Sequence, residues 1–282
     1  MEKHARFSHY ERVELEGKII RVPYPVAIPR PVLEDRPDLI TRGLAAWLNI
    51  ADLPPLNFRL YGPPGSGKNA LVYQLAQTLG KDLYIINGHQ ELGPEDVACS
   101  ATMTAQQSIE YVASPLFAAM LRGGICFFDE IGKAPTAALD PLASVLDDRR
   151  TLTSVLAGIH LKAHSEFLFC AALNQDEEEG LGLPGFIDER TRPAIKVDYP
   201  AAAIMERILR IHLPNAGDAW FKVFLSKYQK GISPRGIITL LSYAFRLSQQ
   251  EGNQHPSPRQ IKAYMGRAFQ EVRTSEAERE VS

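Results

Sequence analysis

The stretch NFRLYGPPGSGKNALVYQLAQTLG, residues 57–80, decides the fold. An apolar strand, NFRLY, runs into the glycine-rich GPPGSGKN at 62–69, and an amphipathic run with helical spacing follows. A glycine-rich turn between strand and helix lets successive backbone N–H groups face a phosphate chain, and the helix N-terminus adds partial positive charge. Gly65 and Gly67 permit close backbone approach, while Lys68 reaches β- and γ-phosphates as a point charge. The residues expected to line such a ligand are Gly62, Pro63, Pro64, Gly65, Ser66, Gly67, Lys68, Asn69 and Ala70. An accidental glycine turn is the alternative, and the flanking strand and helix weigh against it. In this pattern a Ser or Thr usually follows the lysine and ligates Mg²⁺ through its hydroxyl; here the position is Asn69. Its amide oxygen is a hard ligand one atom further along the side chain, and Mg²⁺ tolerates little distortion of its octahedron. Any hydrolysis is therefore expected to be slowed, without being abolished.

Moving outward, GGICFFDE at 123–130 is an apolar strand ending in two carboxylates. At the carboxyl end of a parallel strand beside the glycine-rich turn, Asp129 can hold the Mg²⁺ shell and Glu130 can orient or deprotonate water. Alone, such a pair is more often a solvated strand end. A third strand, FLFCAALN at 167–174, ends in Asn174. Polar residues at strand ends commonly just begin turns. If this strand lies between the other two, Asn174 points at the γ-phosphate and helps to position water.

The 282 residues are long enough for one large domain and a small one, and 45% hydrophobic with 23% charged residues is ordinary globular composition. A net charge of −2 supplies no global basic field, so nucleic acid is not favoured as a partner. Cys99, Cys126 and Cys170 lack metal-ligand spacing and read as reduced structural thiols. With no long apolar run and a charged start, MEKHARFSHYERVELEG, neither a membrane span nor a secretory signal is expected. A cytoplasmic address is the default expectation.

Residues 1–38 are proline-rich, with RVPYPVAIPRP at 21–31 breaking any regular pattern, and are expected to pack over the core. Residues 39–50 have helical spacing up to Pro54-Pro55. Strands at 58–61, 83–86, 125–128 and 167–173 alternate with helical runs, one of them ending at Gly80. Alternation of this kind implies a parallel sheet covered on both faces. The first large domain is thus assigned to 39–200. A small all-helical domain over 201–272 follows, with helices near 201–212, 218–229, 234–250 and 258–272. Two of these open on Ser-Pro, at Ser233-Pro234 and Ser257-Pro258, where serine caps and proline takes the first turn. Residues 273–282 are polar and expected to fray as a flexible tail.

In this order the motifs resemble those of the AAA+ ATPases, and within them the MoxR-type branch, from residue 56 to 269. GPPGSGKN is similar to the family's Walker A motif, ICFFDE to its Walker B and ALN to its sensor 1. ASPLFAAMLRGGICFFDEIGKAP at 113–135 resembles its passage from the helix-2 insertion into the Walker B strand. LPGFIDERTRPAIKVDYP at 183–200 resembles the segment that carries an arginine finger and ends in DYP; ungapped counting back places the finger on Arg190. SPRGIITLLSYAFRLSQQEG at 233–252 resembles the lid helix opening with sensor 2, which falls on Arg235. The family's usual phenylalanine after the finger is Thr191 here.

The resemblance implies a P-loop AAA+ αβα sandwich with a parallel sheet, followed by a small all-helical lid, with ATP and Mg²⁺ held between them. Asn69 and Asp129 are the metal ligands it implies, and Glu130, Lys68, Asn174, Arg190 and Arg235 the catalytic set. It also implies a ring, usually a hexamer, in which Arg190 reaches the nucleotide of the adjacent copy. Read alone, Arg190 and Arg192 are surface arginines suited to salt bridges, Arg235 suits a solvated first helical turn, and Arg192 stays unassigned. Segments 91–113 and 149–165, the second read as a hairpin, resemble the family's two insertions and are the expected client-facing surfaces. The expected work is chaperone-like remodelling of a protein complex, with a von Willebrand A domain protein the client that the family likeness suggests. The alternatives are the motor subunit of a nucleic-acid processing or defence system and a slowly hydrolysing ATP-gated scaffold.

Overall fold

The computed structural model describes residues 10–29, 36–50, 53–103, 107, 109–174, 183–226 and 233–277. By its contacts the chain divides into two units. One comprises Met1–Gly62 with Lys68–Lys196, the other Pro63–Gly67 with Val197–Ser282.

The first unit begins with β1 (Tyr10–Leu15), β2 (Lys18–Pro23), α1 (Pro37–Ala46), β3 (Phe58–Gly62), α2 (Lys68–Leu79) and β4 (Leu83–Asn87). It continues through α3 (Pro94–Val97), β5 (Cys99–Met103), β6 (Ile109–Ala113), α4 (Pro115–Arg122), β7 (Ile125–Asp129) and a 3₁₀ turn (Ile131–Lys133). Then come α5 (Thr136–Leu139), α6 (Leu142–Val145), β8 (Thr151–Ser154), β9 (Ile159–Lys162), β10 (Leu168–Asn174), α7 (Gly185–Arg190) and β11 (Ala194–Lys196). The central sheet has the order β11-β3-β10-β7-β4 and every neighbouring pair is parallel. Strands buried on both faces should be almost continuously apolar. ICFFD and LFCAALN are: Phe127, Phe128 and Phe169 have no exposed surface. α1 sits close enough to α2 that a Cβ on Gly43 would come within 2.7 Å of the Leu75 side chain. Trp47 at the end of α1 packs against Phe58 with the rings tilted by 50° and donates its indole N–H to the Phe169 carbonyl at 3.2 Å.

Residues 10–23 correct the expectation of an irregular N-terminal segment. β1 and β2 form a hairpin joined by Glu16 and Gly17, both at positive φ (51° and 74°), the geometry of a two-residue hairpin turn. The prolines fall at the end of β2 and beyond, where they break no ladder. β2 pairs with β6, and a second four-stranded sheet, β1-β2-β6-β5, unites this hairpin with the first insertion. Ile20 and Val22 point into the core. The second insertion forms the expected hairpin, β8 with β9. Lys18 Nζ reaches its turn, donating to the carbonyls of Ala157 (2.6 Å) and Gly158 (3.0 Å). α1 runs over Pro37–Ala46, earlier than residues 39–50 suggested, because Pro37 supplies a first-turn start. β11 was not legible at three residues.

The second unit holds α8 (Ala202–His212), α9 (Asp218–Leu225), α10 (Pro234–Gln250) and α11 (Pro258–Ala277). Its core is Met205, Leu209, Trp220, Phe221, Ile237, Leu241, Ile261 and their neighbours. Ser233 Oγ accepts from Gly236 N–H at 3.0 Å with Pro234 next, as the Ser-Pro pattern predicts. Ser257 N–H donates to Gln260 Oε1 at 2.8 Å, a capping-box bond at the start of α11. α9 ends at Leu225, so residues 227–229 of the expected 218–229 helix lie outside the described residues. α11 continues through Ala277, into the part expected to be a flexible tail, since no Gly or Pro interrupts RTSEA. Residues 278–282, like 1–9 and 30–35, lie outside the described ones.

Candidate functional site

Four strands of the central sheet carry the candidate residues at their carboxyl ends, in two level pairs. Asn174 on β10 is level with Gly62 on β3, and Asp129 on β7 is level with Asn87 on β4. β10 lies between β3 and β7, so the condition on which Asn174 was expected to matter is met. Lys68 opens α2 and is only 7% exposed. Its ammonium donates to the Gly62 carbonyl at 2.8 Å and to Asn174 Oδ1 at 3.2 Å. Asn69 Nδ2 donates to Asp129 Oδ2 at 2.7 Å, which turns the two side chains towards each other across α2 and β7. Asp129 Oδ1 in turn accepts from the Glu130 N–H at 3.0 Å. A lysine, two amides and a carboxylate thus converge at the carboxyl edge of a parallel sheet, where such sheets hold ligands.

Glu130 adopts a left-handed conformation, φ 53° and ψ 39°, which a non-glycine residue rarely does without a local reason. Gly88 makes the room: a Cβ there would stand 2.2 Å from the Glu130 carbonyl oxygen. The turn throws the Glu130 carboxylate outward, where it pairs with Lys133 at 2.8 Å, both side chains close to half exposed.

In the second unit, Gly65 and Gly67 take φ of +71° and +100°. The positive φ favours glycine at 65, and a Cβ there would also crowd Ser233 Cβ at 3.1 Å while only touching Arg235 Cβ at 3.5 Å. Tyr199 Oη donates to the Pro64 carbonyl at 3.2 Å. Pro63 to Gly67 are therefore packed against the start of α10, where Arg235 sits in the first turn.

Residues 57–183 match the family described as an AAA domain, dynein-related subfamily. Over this stretch, which is less than half of the chain, the sequence is similar to that family. An uncharacterised protein of Staphylococcus aureus (strain USA300) is 31% identical over 166 residues, 57% of this chain and 63% of that one. One from Staphylococcus haemolyticus is 31% identical over 158 residues, 55% of this chain and 60% of the relative. The match thus spans less than two thirds of the relatives' own length. Among solved structures, a Thermotoga maritima RuvB variant superposes with TM-score 0.58 at 18% identity, over 81% of this chain and 68% of that one. NtrX from Brucella abortus in complex with ADP gives TM-score 0.52 at 14% identity, over 74% and 53%. The fold is that of the P-loop AAA+ ATPases, with a helical region after the sheet.

The matched residues 57–183 contain Lys68, Asn69, Asp129, Glu130 and Asn174. Arg190 lies just beyond them, on α7. It is half-buried and its Nη1 donates to the Phe186 carbonyl at 2.9 Å, one turn back on its own helix. Asp147 is held below its usual carboxylate range by Arg149, hydrogen-bonded to it, with a smaller contribution from Arg190. Arg192 is ion-paired with Asp188 at 2.6 Å. That bond, with the nearby Arg59 charge, lowers the Asp188 pKa against the opposing effect of burial. Thr191, in place of the expected phenylalanine, has no exposed surface and hydrogen-bonds the Ile187 carbonyl and Arg59. The reading of the sequence passed over Arg59 and Lys133. For Arg59 a signal existed: a charged residue within an apolar strand is rarely buried without a dedicated partner.

Cys99, Cys126 and Cys170 are all buried and unpaired with one another. Burial raises Cys99 to about 11 and pushes Cys126 and Cys170 further up. They are packing residues, as their apolar surroundings suggested. No group of three or more His, Cys, Asp or Glu able to hold a metal ion occurs among the described residues. No described helix is long and apolar enough to cross a membrane.

Proposed function

We propose that this chain binds and hydrolyses ATP as a MoxR-type AAA+ protein, and that copies of it assemble, as a ring, to remodel a protein client. The observation that carries the reading is the convergence of Lys68, Asn69, Asp129 and Asn174 at one sheet edge, with Lys68 following directly in sequence on the glycine-rich stretch 62–67.

The residues present fit the nucleotide and its ion. Gly65 and Gly67 hold the backbone in conformations that turn N–H groups to one side, as a phosphate chain requires. Asn69 and Asp129 supply only hard oxygen donors to a divalent cation, and the bond between them orients both. Mg²⁺, when bound there, would neutralise charge developing on the phosphates. Lys68, already desolvated, would add its charge to the same oxygens at no cost of reorganisation. Glu130 would accept a proton from the water that attacks the γ-phosphorus as ADP leaves, which requires it to leave Lys133; a half-exposed ion pair is cheap to open. Asn174 would hold that water, and Arg190 of one copy would meet the γ-phosphate of the next. Arg235 is the further cation that the family likeness would assign to the phosphates.

A protein client is favoured over nucleic acid by the ends of the insertions. Val155 and Leu156 at the β8–β9 turn are 90% and 53% exposed, and Met103 and Ile109, paired across β5 and β6, are 73% and 65% exposed. Residues 91–113 contain no Lys or Arg, so phosphate contacts there have no charge to draw on. One solved neighbour is described as a Holliday junction branch migration motor; at 16% identity that likeness concerns fold alone. The test is phosphate release by purified protein. Glu130→Gln is expected to lower it at least about a hundredfold while ATP binding persists; release unchanged by the substitution contradicts the assignment.

A further inference from the structure

β3 carries a buried charge where its neighbours Phe58 and Leu60 are wholly apolar. Arg59 is 4% exposed, and the partners of its guanidinium explain why it is there. Nη2 pairs with Asp188 Oδ1 at 2.6 Å, and Nη1 donates to the carbonyl of Asp188 at 3.0 Å, to Thr191 Oγ1 at 3.3 Å and to the Thr191 carbonyl at 3.5 Å. These acceptors belong to the last turn of α7 and the residue that ends it. Helix ends present carbonyls without intrahelical partners, and a cation is favoured beside them. A planar five-donor fork can serve several such acceptors in one fixed geometry, which the three donors of a compact ammonium do not reproduce.

We propose that Arg59 is a positioning residue for Arg190, clamping the turn on which that arginine stands to the strand that leads into the phosphate cradle; this rests on the reading of Arg190 given above. α7 has six residues and no side-chain N-cap bond. A helix that short has no stability of its own, so tertiary contacts set its direction. Ile187 is buried beneath it, and Arg59 holds its carboxyl end from Asp188 to Thr191, the residues that bracket Arg190. The backbone of the same residue continues the clamp: Arg59 N–H donates to the Pro193 carbonyl at 3.2 Å, and Ala194 pairs with Arg59 in the β11–β3 ladder. Thr191 belongs to the device. A phenylalanine there would remove the hydroxyl that Arg59 and Ile187 share. Each copy thus presents Arg190 to its neighbour from a turn fixed to its own β3.

The test compares Arg59→Met, Arg190→Ala and Lys68→Ala, each purified as the full chain, with assembly checked by light scattering. Arg59→Met alone is expected to lose about a hundredfold in kcat, the size of a displaced catalytic group, with the KM for ATP and binding of a fluorescent ATP analogue unchanged. Mixed with Lys68→Ala copies, Arg59→Met should regain turnover, because its own phosphate site is intact and the neighbour supplies a well-placed Arg190. Mixed with Arg190→Ala copies it should not. If Arg190→Ala recovers with Lys68→Ala but Arg59→Met does not, or if Arg59→Met turns over normally, the positioning role is overturned and the reading of Arg190 stands. If neither recovers in intact assemblies, the reading of Arg190 falls and this inference with it. Should Arg59→Met fail to fold, Arg59→Lys keeps the charge without the fork; it is expected to show the same complementation with about a tenfold loss, and wild-type turnover in that variant overturns the proposal.

Discussion

Under the proposed function, Asn69 is the residue that bears most directly on rate. A hydroxyl at this position offers one donor and two lone pairs, whereas the Asn69 amide spends Nδ2 on Asp129 at 2.7 Å and keeps only Oδ1 for a cation. Magnesium demands near-ideal geometry at about 2.0–2.1 Å, and the longer side chain must reach it from a backbone fixed at the first turn of α2. Asn69→Thr is therefore expected to raise kcat for phosphate release by up to about tenfold, equivalent to about 1.4 kcal/mol of barrier. An unchanged or lower kcat, with ATP binding retained, would mean that the amide already ligates as well as a hydroxyl. Much of this site was legible residue by residue: Lys68, Asp129 and Asn174 stand at strand or helix ends that their own apolar runs announce. Arg59, Asp188 and Thr191 were not read together, because their contacts join residues more than a hundred positions apart and no local pattern encodes such a meeting.

The elements divide along the same line. β3, β4, β7 and β10 are buried on both faces and read as nearly continuous apolar runs, bounded by Gly or polar residues, so periodicity and length reveal them. The β1–β2 hairpin was hidden behind its prolines, although Glu16-Gly17 carried the turn signal; what gives it a place is pairing with β6, where Ile20 meets Tyr111 far along the chain. Its role is measurable as stability. Ile20, 1% exposed and packed in the main core of its unit, should cost about 2–5 kcal/mol when cut to alanine. In urea, with a slope of about 1–3 kcal/mol per molar, Ile20→Ala is expected to move the unfolding midpoint down by about one molar or more. ATP affinity should be unaffected, since Ile20 lies on the second sheet and away from the edge that carries Lys68 and Asp129. A midpoint equal to wild type would show that the hairpin adds nothing to this core.

At the scale of the whole chain, turnover is expected to depend on protein concentration if, as proposed, Arg190 acts where copies meet. Binding is not: the cradle, Lys68, Asn69 and Asp129 all belong to one copy. Uptake of ATP by that copy is thus the claim on which hydrolysis, assembly and remodelling all stand. Equilibrium binding of ATP with millimolar Mg²⁺ to dilute purified protein tests it most directly, with Lys68→Ala alongside. The account predicts saturable binding to the wild type that weakens at least about tenfold in Lys68→Ala, the loss of a charge-assisted contact to phosphate. No uptake by the wild type, or equal uptake by both proteins, would contradict it.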